Sequence, residues 1–196
     1  MAWRPAGPAA ADASRGAVSV GRRGAIGAAV GVAAAAAGGA LAWWRATISD
    51  QAERAAAALW TLKFERPEGG SLVMADFRGK PLVMNFWATW CVPCIRELPA
   101  LQRFAREHAA QGWTVVALAV DQPVPVLEFI ARFKLDLPVA LAGIDGLEWQ
   151  RAMGNTAGAL PFSVVLDAHG HVRQRRLGES HYDELVQWAL EAGGGS

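Results

Sequence analysis

Cysteine is almost missing from this chain. Its 196 residues include two, Cys91 and Cys94. Two cysteines cannot form the disulfide framework that holds small secreted scaffolds together. Any internal bridge is a single one, so the pair has to be judged as chemistry. Charge of one sign is also lacking: 19 basic against 18 acidic residues leave a net +1. No block of Lys or Arg stands out, which removes the electrostatic case for nucleic acid. Metal-ligand spacing is absent too. A zinc site needs about four ligands. His108, His169, His171 and His181 all lie far from the cysteines, so neither a metal nor a cofactor is expected. No internal repeat occurs. What the chain has in quantity is apolar residues, at 53%. That is enough for a full core in one domain of about 130–140 residues plus a tail.

The first 45 residues differ from the rest. Arg4, Arg15, Arg22 and Arg23 face one acid, Asp12, and then Gly24–Trp44 runs without a charge. As a helix this run would span about 31 Å, the thickness of a hydrocarbon core. Ile26, Val30, Val32 and Leu41 are its only large aliphatics. Trp43, Trp44 and Arg45 suit a membrane–water interface, and the preceding arginines predict a cytoplasmic N-terminus with the body of the chain exported. The expectation is an inner-membrane anchor facing the periplasm. Two alternatives stay open. Ala40-Leu41-Ala42 has the form of a signal cleavage site, which would leave a soluble periplasmic protein, and Arg22-Arg23 allows twin-arginine export. A buried Ala-rich helix is disfavoured by the glycines and the lack of an amphipathic stripe.

Strand and helix signals then alternate. Residues 46–58 read as a spacer, helical or flexible. Trp60, Leu62 and Phe64 alternate with polar residues, predicting a strand over 59–64, and Ser71–Met74 can return as its partner. Pro81–Trp87 is a near-continuous apolar run, as expected of a strand buried on both faces. A helix to about Gln111 follows, with Ile95, Leu98, Leu101, Phe104 and Ala105 at spacings of three and four, and Gly112 as its stop. Further elements are a strand at 113–120, a helix at 126–134 with Leu127, Ile130 and Ala131 inward, a strand at 138–141 and a helix at 147–153. Strands at 162–166 and 172–177 flank the turn Ala168-His169-Gly170, where both neighbouring histidines read as surface residues. A last helix begins at Ser180, with Asp183 at the capping-box spacing, and ends before Gly193. This order predicts an α/β fold, a central sheet with helices on both faces and an antiparallel edge. The division is a targeting or transmembrane segment (1–45), a linker (46–58), one domain (59–191) and a flexible tail (192–196).

Cys91 falls where the Pro81–Trp87 strand gives way to a helix, and Cys94 is one turn deeper. A thiolate is the attacking species in disulfide exchange, and a helix N-terminus favours negative charge. This placement makes Cys91 the attacking sulfur and Cys94 the resolving one. Pro93 sits in the first turn, where a missing N–H costs nothing. Two inert core cysteines, or a peroxidatic cysteine, are the rival readings. The second fits poorly, because Thr89 precedes Cys91 by two residues and a second cysteine follows at once.

The stretch KPLVMNFWATWCVPCIRELPAL (80–101) resembles the thioredoxin superfamily, and within it the membrane-tethered TlpA/ResA-like thiol–disulfide oxidoreductases. The similarity extends over about residues 59–191. It implies a thioredoxin-like fold, a mixed central sheet with helices on both faces, with residues 59–80 as an N-terminal β-hairpin addition. Pro99 matches the proline inside the family's active-site helix, and Leu160-Pro161 matches its cis-proline loop against the cysteine pair. Asn85 stands where thioredoxin has a buried acid, so that proton relay is missing here. Glu97, three residues after Cys94, matches a glutamate common in this branch and can move a proton; the alternative is a solvated surface charge. Trp87 reads as core, and Trp90 as an exposed rim that meets partners beside Pro93 and Leu160. The resemblance implies a dithiol that reduces exported disulfide proteins, cytochrome c maturation among its settings, and is resupplied by a membrane thiol carrier. Oxidase or isomerase activity, and a redox-inert chaperone module, remain alternatives.

Overall fold

The computed structural model describes residues 35–43 and 53–193. Residues 35–43 are helical and exposed. The rest of the uncharged run behind the anchor reading, and residues 194–196 of the tail, lie outside the described residues. Among the described residues no helix is long and apolar enough to cross a membrane.

The packed unit opens with a helix over residues 53–59 (α1) and a two-stranded antiparallel sheet, β1 (Lys63–Glu65) and β2 (Ser71–Val73). Then come β3 (Leu82–Trp87), α2 (Val92–Glu107), β4 (Thr114–Ala119), α3 (Pro123–Phe133), β5 (Val139–Leu141) and α4 (Gly143–Ala152). β6 (Phe162–Leu166), β7 (Val172–Leu177) and α5 (Tyr182–Gly193) complete it. The five-stranded sheet has the order β5-β4-β3-β6-β7. β3, β4 and β5 are parallel, and β6 pairs antiparallel with both β3 and β7.

All six residues of β3 are buried because both of its faces are covered. Val83 and Trp87 join a cluster with Leu98, Leu101 and Phe104 of α2, Val126 and Phe129 of α3, and Leu185 and Trp188 of α5. Leu82, Met84 and Phe86 point the other way, to Leu59, Trp60, Phe64, Leu72 and Trp149. The period-2 alternation of the strand therefore separates the two cores. It also aims Asn85, between Val83 and Trp87, at the α2 side.

Several boundaries differ from those read in the sequence. The chain is helical at Leu59 and turns at Trp60–Thr61, so β1 begins only at Lys63. Trp60 and Phe64 are buried as expected, but by a helix end and a strand rather than by one strand. Within the stretch read as a spacer, Ala56 is fully buried and Trp149 Nε1 donates to Ala55 O at 2.9 Å, so these two residues pack on the domain. α3 starts at Pro123, since prolines in a first turn remove N–H groups that had no partner. That phase turns Val126 and Phe129 inward and leaves Leu127 exposed. α4 starts four residues early. Its Gly146 sits where an added Cβ would lie 2.9 Å from the Ala142 Cβ and 3.4 Å from Phe64 Cε1, so only glycine fits there. In α5 the cap moves by one residue: the His181 N–H donates to Glu184 Oε2, and Leu185 N donates to His181 O.

Candidate active site

β3 is the central strand, and its C-terminal end delivers the cysteine pair. Cys91 is the N-cap of α2, in extended backbone, and its N–H donates to Ala88 O at 3.2 Å. Its Sγ accepts a hydrogen bond from the Cys94 N–H at 3.3 Å. The two cysteines form a disulfide with Cα atoms 5.3 Å apart. The Cys94 N–H and the helix macrodipole both act on Cys91 Sγ, which stabilises negative charge at that sulfur. Cys91 is 6% exposed and Cys94 0%, so the outer sulfur is the reachable one. Trp90 is 68% exposed at the rim, while Trp87 is fully buried against Phe129. Pro93 lies in the first turn of α2, and Pro99 sits inside the helix, which continues through it. A mid-helix proline costs about 3 kcal/mol, here met by a helix packed along its length on the sheet.

The Leu160–Pro161 bond is cis. Pro161 immediately precedes Phe162, the partner of Phe86 in the β3–β6 pairing, so the proline stands at the end of the sheet from which the cysteine loop departs. Its carbonyl accepts from the Gly178 N–H at 2.9 Å. Leu160 is half-buried and packs against both cores.

Glu97 is 1% exposed, which removes the surface-charge alternative. Its Oε1 accepts from Asn85 Nδ2 at 2.6 Å, and its Oε2 accepts from the Ser180 N–H at 2.8 Å. Burial pushes its carboxyl up to about 7, although the Ser180 N–H and the Asn85 amide favour the charged form. Three residues separate Glu97 from Cys94, placing both on one face of α2. A buried acid with a pKa near neutrality, one turn from a cysteine, is suited to proton transfer.

Three further groups at the site carried little or no sequence signal. Asp121, after β4, accepts from both the N–H and the Oγ1–H of Thr89, with the N–H bond at 2.9 Å, and so ties down the loop before Cys91. Ser163 accepts from Asn85 Nδ2 at 3.0 Å. It is the one polar residue of the buried strand FSVVL, a signal that pairing with β3 would have made readable. Arg96 grips Glu179 at the lip, with Nη2 to Oε2 at 2.6 Å, and this holds the Glu179 carboxyl below its usual range. Among the described residues no group of His, Cys, Asp and Glu could hold a metal ion.

Comparison with known proteins agrees with this geometry. The family described as Redoxin matches residues 57–187. The thiol-disulfide oxidoreductase ResA of Bacillus thuringiensis (strain Al Hakam) is 32% identical over 120 residues, or 60% of this chain and 66% of the relative. The match thus spans just under two thirds of that relative's length. A thiol:disulfide interchange protein of the thioredoxin family from Chlorobium tepidum TLS superposes with a TM-score of 0.61 at 25% identity, covering 67% of this chain and 92% of its own. MTB dsbF, solved in mixed oxidized and reduced forms, gives a TM-score of 0.58 at 27% identity over 68% and 96% of the two chains. The thioredoxin-like fold expected from residues 80–101 is the fold observed.

Proposed function

The chain belongs to the redoxin family, among its ResA-like thiol–disulfide oxidoreductases, and on that premise we propose that it reduces disulfides of exported partner proteins on the periplasmic side of the inner membrane. The observation that carries the chemistry is the N-cap position of Cys91, its sulfur meeting the Cys94 N–H beside the exposed Trp90.

In the reduced state the Cys91 thiolate attacks one sulfur of a partner disulfide. A Cys91–partner bond forms, the partner's S–S bond breaks, and one partner sulfur leaves as a thiolate. Cys94 then gives up its proton and attacks Cys91 Sγ. The Cys91–Cys94 bond closes, the second partner thiolate leaves, and two electrons have passed to the partner. Glu97, buried one turn away, takes the Cys94 proton, which finally resides on the released thiolate. Trp90, Pro93 and Leu160 form the surface the partner meets, and Pro161, itself buried, belongs with the cysteines and Glu97 to the catalytic set. A membrane thiol carrier returns two electrons, because the periplasm itself is oxidising. Exported apocytochromes c are the partner class the resemblance favours. The uncharged run at 24–44, flanked by arginines, supports a tether.

A redox titration tests the direction of flow. A reductant should equilibrate near thioredoxin's potential of about −270 mV, whereas a value near the −120 mV of a strong oxidant would reverse the assignment. Absence of any reversible dithiol step would leave a redox-inert module.

A further inference from the structure

Four buried polar groups from four parts of the chain meet at Glu97, one helical turn from Cys94: Asn85 on β3, Glu97 on α2, Ser163 on β6 and the Ser180 N–H before α5. Asn85 is fully buried and uses both hydrogens of Nδ2, one on Glu97 Oε1 and one on Ser163 Oγ. Its Oδ1 is buried and has no hydrogen-bond partner among the described residues.

This arrangement serves an ionised Glu97, because a carboxylate only accepts. A protonated Glu97 has an O–H to donate. The Ser180 N–H and the Asn85 NH2 are donors and cannot receive it, which leaves two acceptors: Asn85 Oδ1, once the amide turns, and the Ser180 hydroxyl, which is buried without a partner among the described residues. Turning the Asn85 amide over exchanges Oδ1 and Nδ2. Oδ1 then accepts from Glu97 and also from Ser163, whose hydroxyl changes from acceptor to donor. Nδ2 takes the place without a partner. Each orientation makes two hydrogen bonds and leaves one end of the amide unpaired, the carbonyl oxygen in the first and the NH2 in the second. The first is the resting arrangement beside a carboxylate, and the O–H that a proton places on Glu97 favours the second. Aspartate at this position would instead crowd two carboxyl groups together, and leucine would leave Glu97 short of a partner in both states.

We propose that Asn85 is a positioning residue whose side-chain amide turns over, with Ser163 reversing its own hydrogen bond, each time Glu97 gains or loses a proton. The buried carboxyl is thereby held in one place in both protonation states while exchange proceeds above it. This rests on Glu97 being the proton carrier of the proposed reaction. The groups facing Glu97 fit that role. From α2 there is the cysteine pair, one turn away. From the loop before α5 there is the Glu179 carboxylate, which raises its proton affinity and is itself paired with Arg96. From β3 and β6 there are neutral Asn85 and Ser163, and from the loop before α5 the neutral Ser180 hydroxyl.

Nuclear magnetic resonance on the oxidised full chain, labelled with 13C and 15N and titrated from about pH 5 to 9, tests it directly. The Glu97 carboxyl carbon and the Asn85 side-chain NH2 should titrate with one shared midpoint. The strongly hydrogen-bonded Asn85 proton should lose its downfield displacement as Glu97 protonates, and Glu97→Gln should abolish the transition. If Glu97 titrates while the Asn85 amide stays fixed, the inference is overturned and the proposed function stands. If Glu97 does not titrate in this range, the proton-carrier reading fails and takes the inference with it. The near-isosteric Asn85→Asp gives a second readout. It should split the Glu97 titration into two separated steps and move the pH profile of exchange. An unchanged profile would reduce Asn85 to packing.

Discussion

Replacing Glu97 by glutamine should make the oxidised protein less sensitive to pH, in a calculable direction. The Glu97 carboxyl is raised from the ordinary 4.5 to about 7, chiefly by burial. The unfolded chain exposes it to water, where it ionises near its ordinary value. Below about pH 4.5 both states carry the proton and Glu97 adds no pH dependence. As pH rises through the window from about 4.5 to 7, the unfolded state sheds the proton first. The folded state binds the proton more strongly there, so stability is fully present at the acid end and is lost as pH approaches and passes 7. At about 1.4 kcal/mol per pH unit, the loss across the window is on the order of 3 kcal/mol. Glutamine keeps the size and has no charge to desolvate; its NH2 cannot accept, so it loses one of the two bonds that Glu97 receives, a cost that does not change with pH. Urea unfolding of wild type and Glu97→Gln, both oxidised, at intervals from pH 4 to 8.5 isolates this contribution, because every other titrating group cancels in the difference. The variant should gain on the wild type by about 3 kcal/mol between the two ends of the window. A difference that does not change with pH would refute the buried, proton-binding Glu97.

Other outcomes follow from the same geometry. Asp121→Ala removes the acceptor of both Thr89 bonds and should cost about 1–3 kcal/mol of stability; it should also slow exchange while both thiols remain, measurable by chemical denaturation and by turnover of a model disulfide. Trp90→Ala should leave stability within about 0.5 kcal/mol, as for an exposed side chain, yet weaken partner binding; unchanged partner kinetics would remove Trp90 from the docking rim. Fractionation with N-terminal sequencing should find the full-length chain in the membrane, and a soluble form beginning at Trp43 would replace the anchor by a cleaved signal.

How much of this was legible depends on how local each determinant is. The strand–cysteine–helix unit could be read because its signals are contiguous: an apolar run of strand length, a CxxC pair, then helical spacing. Leu160-Pro161 was readable only through resemblance, since an isolated X-Pro before a strand is an ordinary event. Glu97 stayed ambiguous because burial of a charge is a tertiary property. Its partners come from 12 residues back and 83 residues ahead. Asp121 reaches Thr89 across 32 residues through adjacent parallel strands, and nothing near either residue announces the pairing. The alternation of Trp60, Leu62 and Phe64 was misleading because a helix end running into a strand can bury the same residues as a single strand. The helix expected at 126–134 begins at Pro123, because a first turn accepts prolines freely.

The central claim is that Cys91 attacks and Cys94 resolves. The most direct measurement is trapping with single-cysteine variants against a disulfide-containing exported protein, with the captured site mapped by mass spectrometry. Cys94→Ser should accumulate a mixed disulfide on Cys91, because nothing remains to resolve it, and Cys91→Ser should capture nothing. Partner adducts on Cys94 that persist in Cys91→Ser would contradict the account.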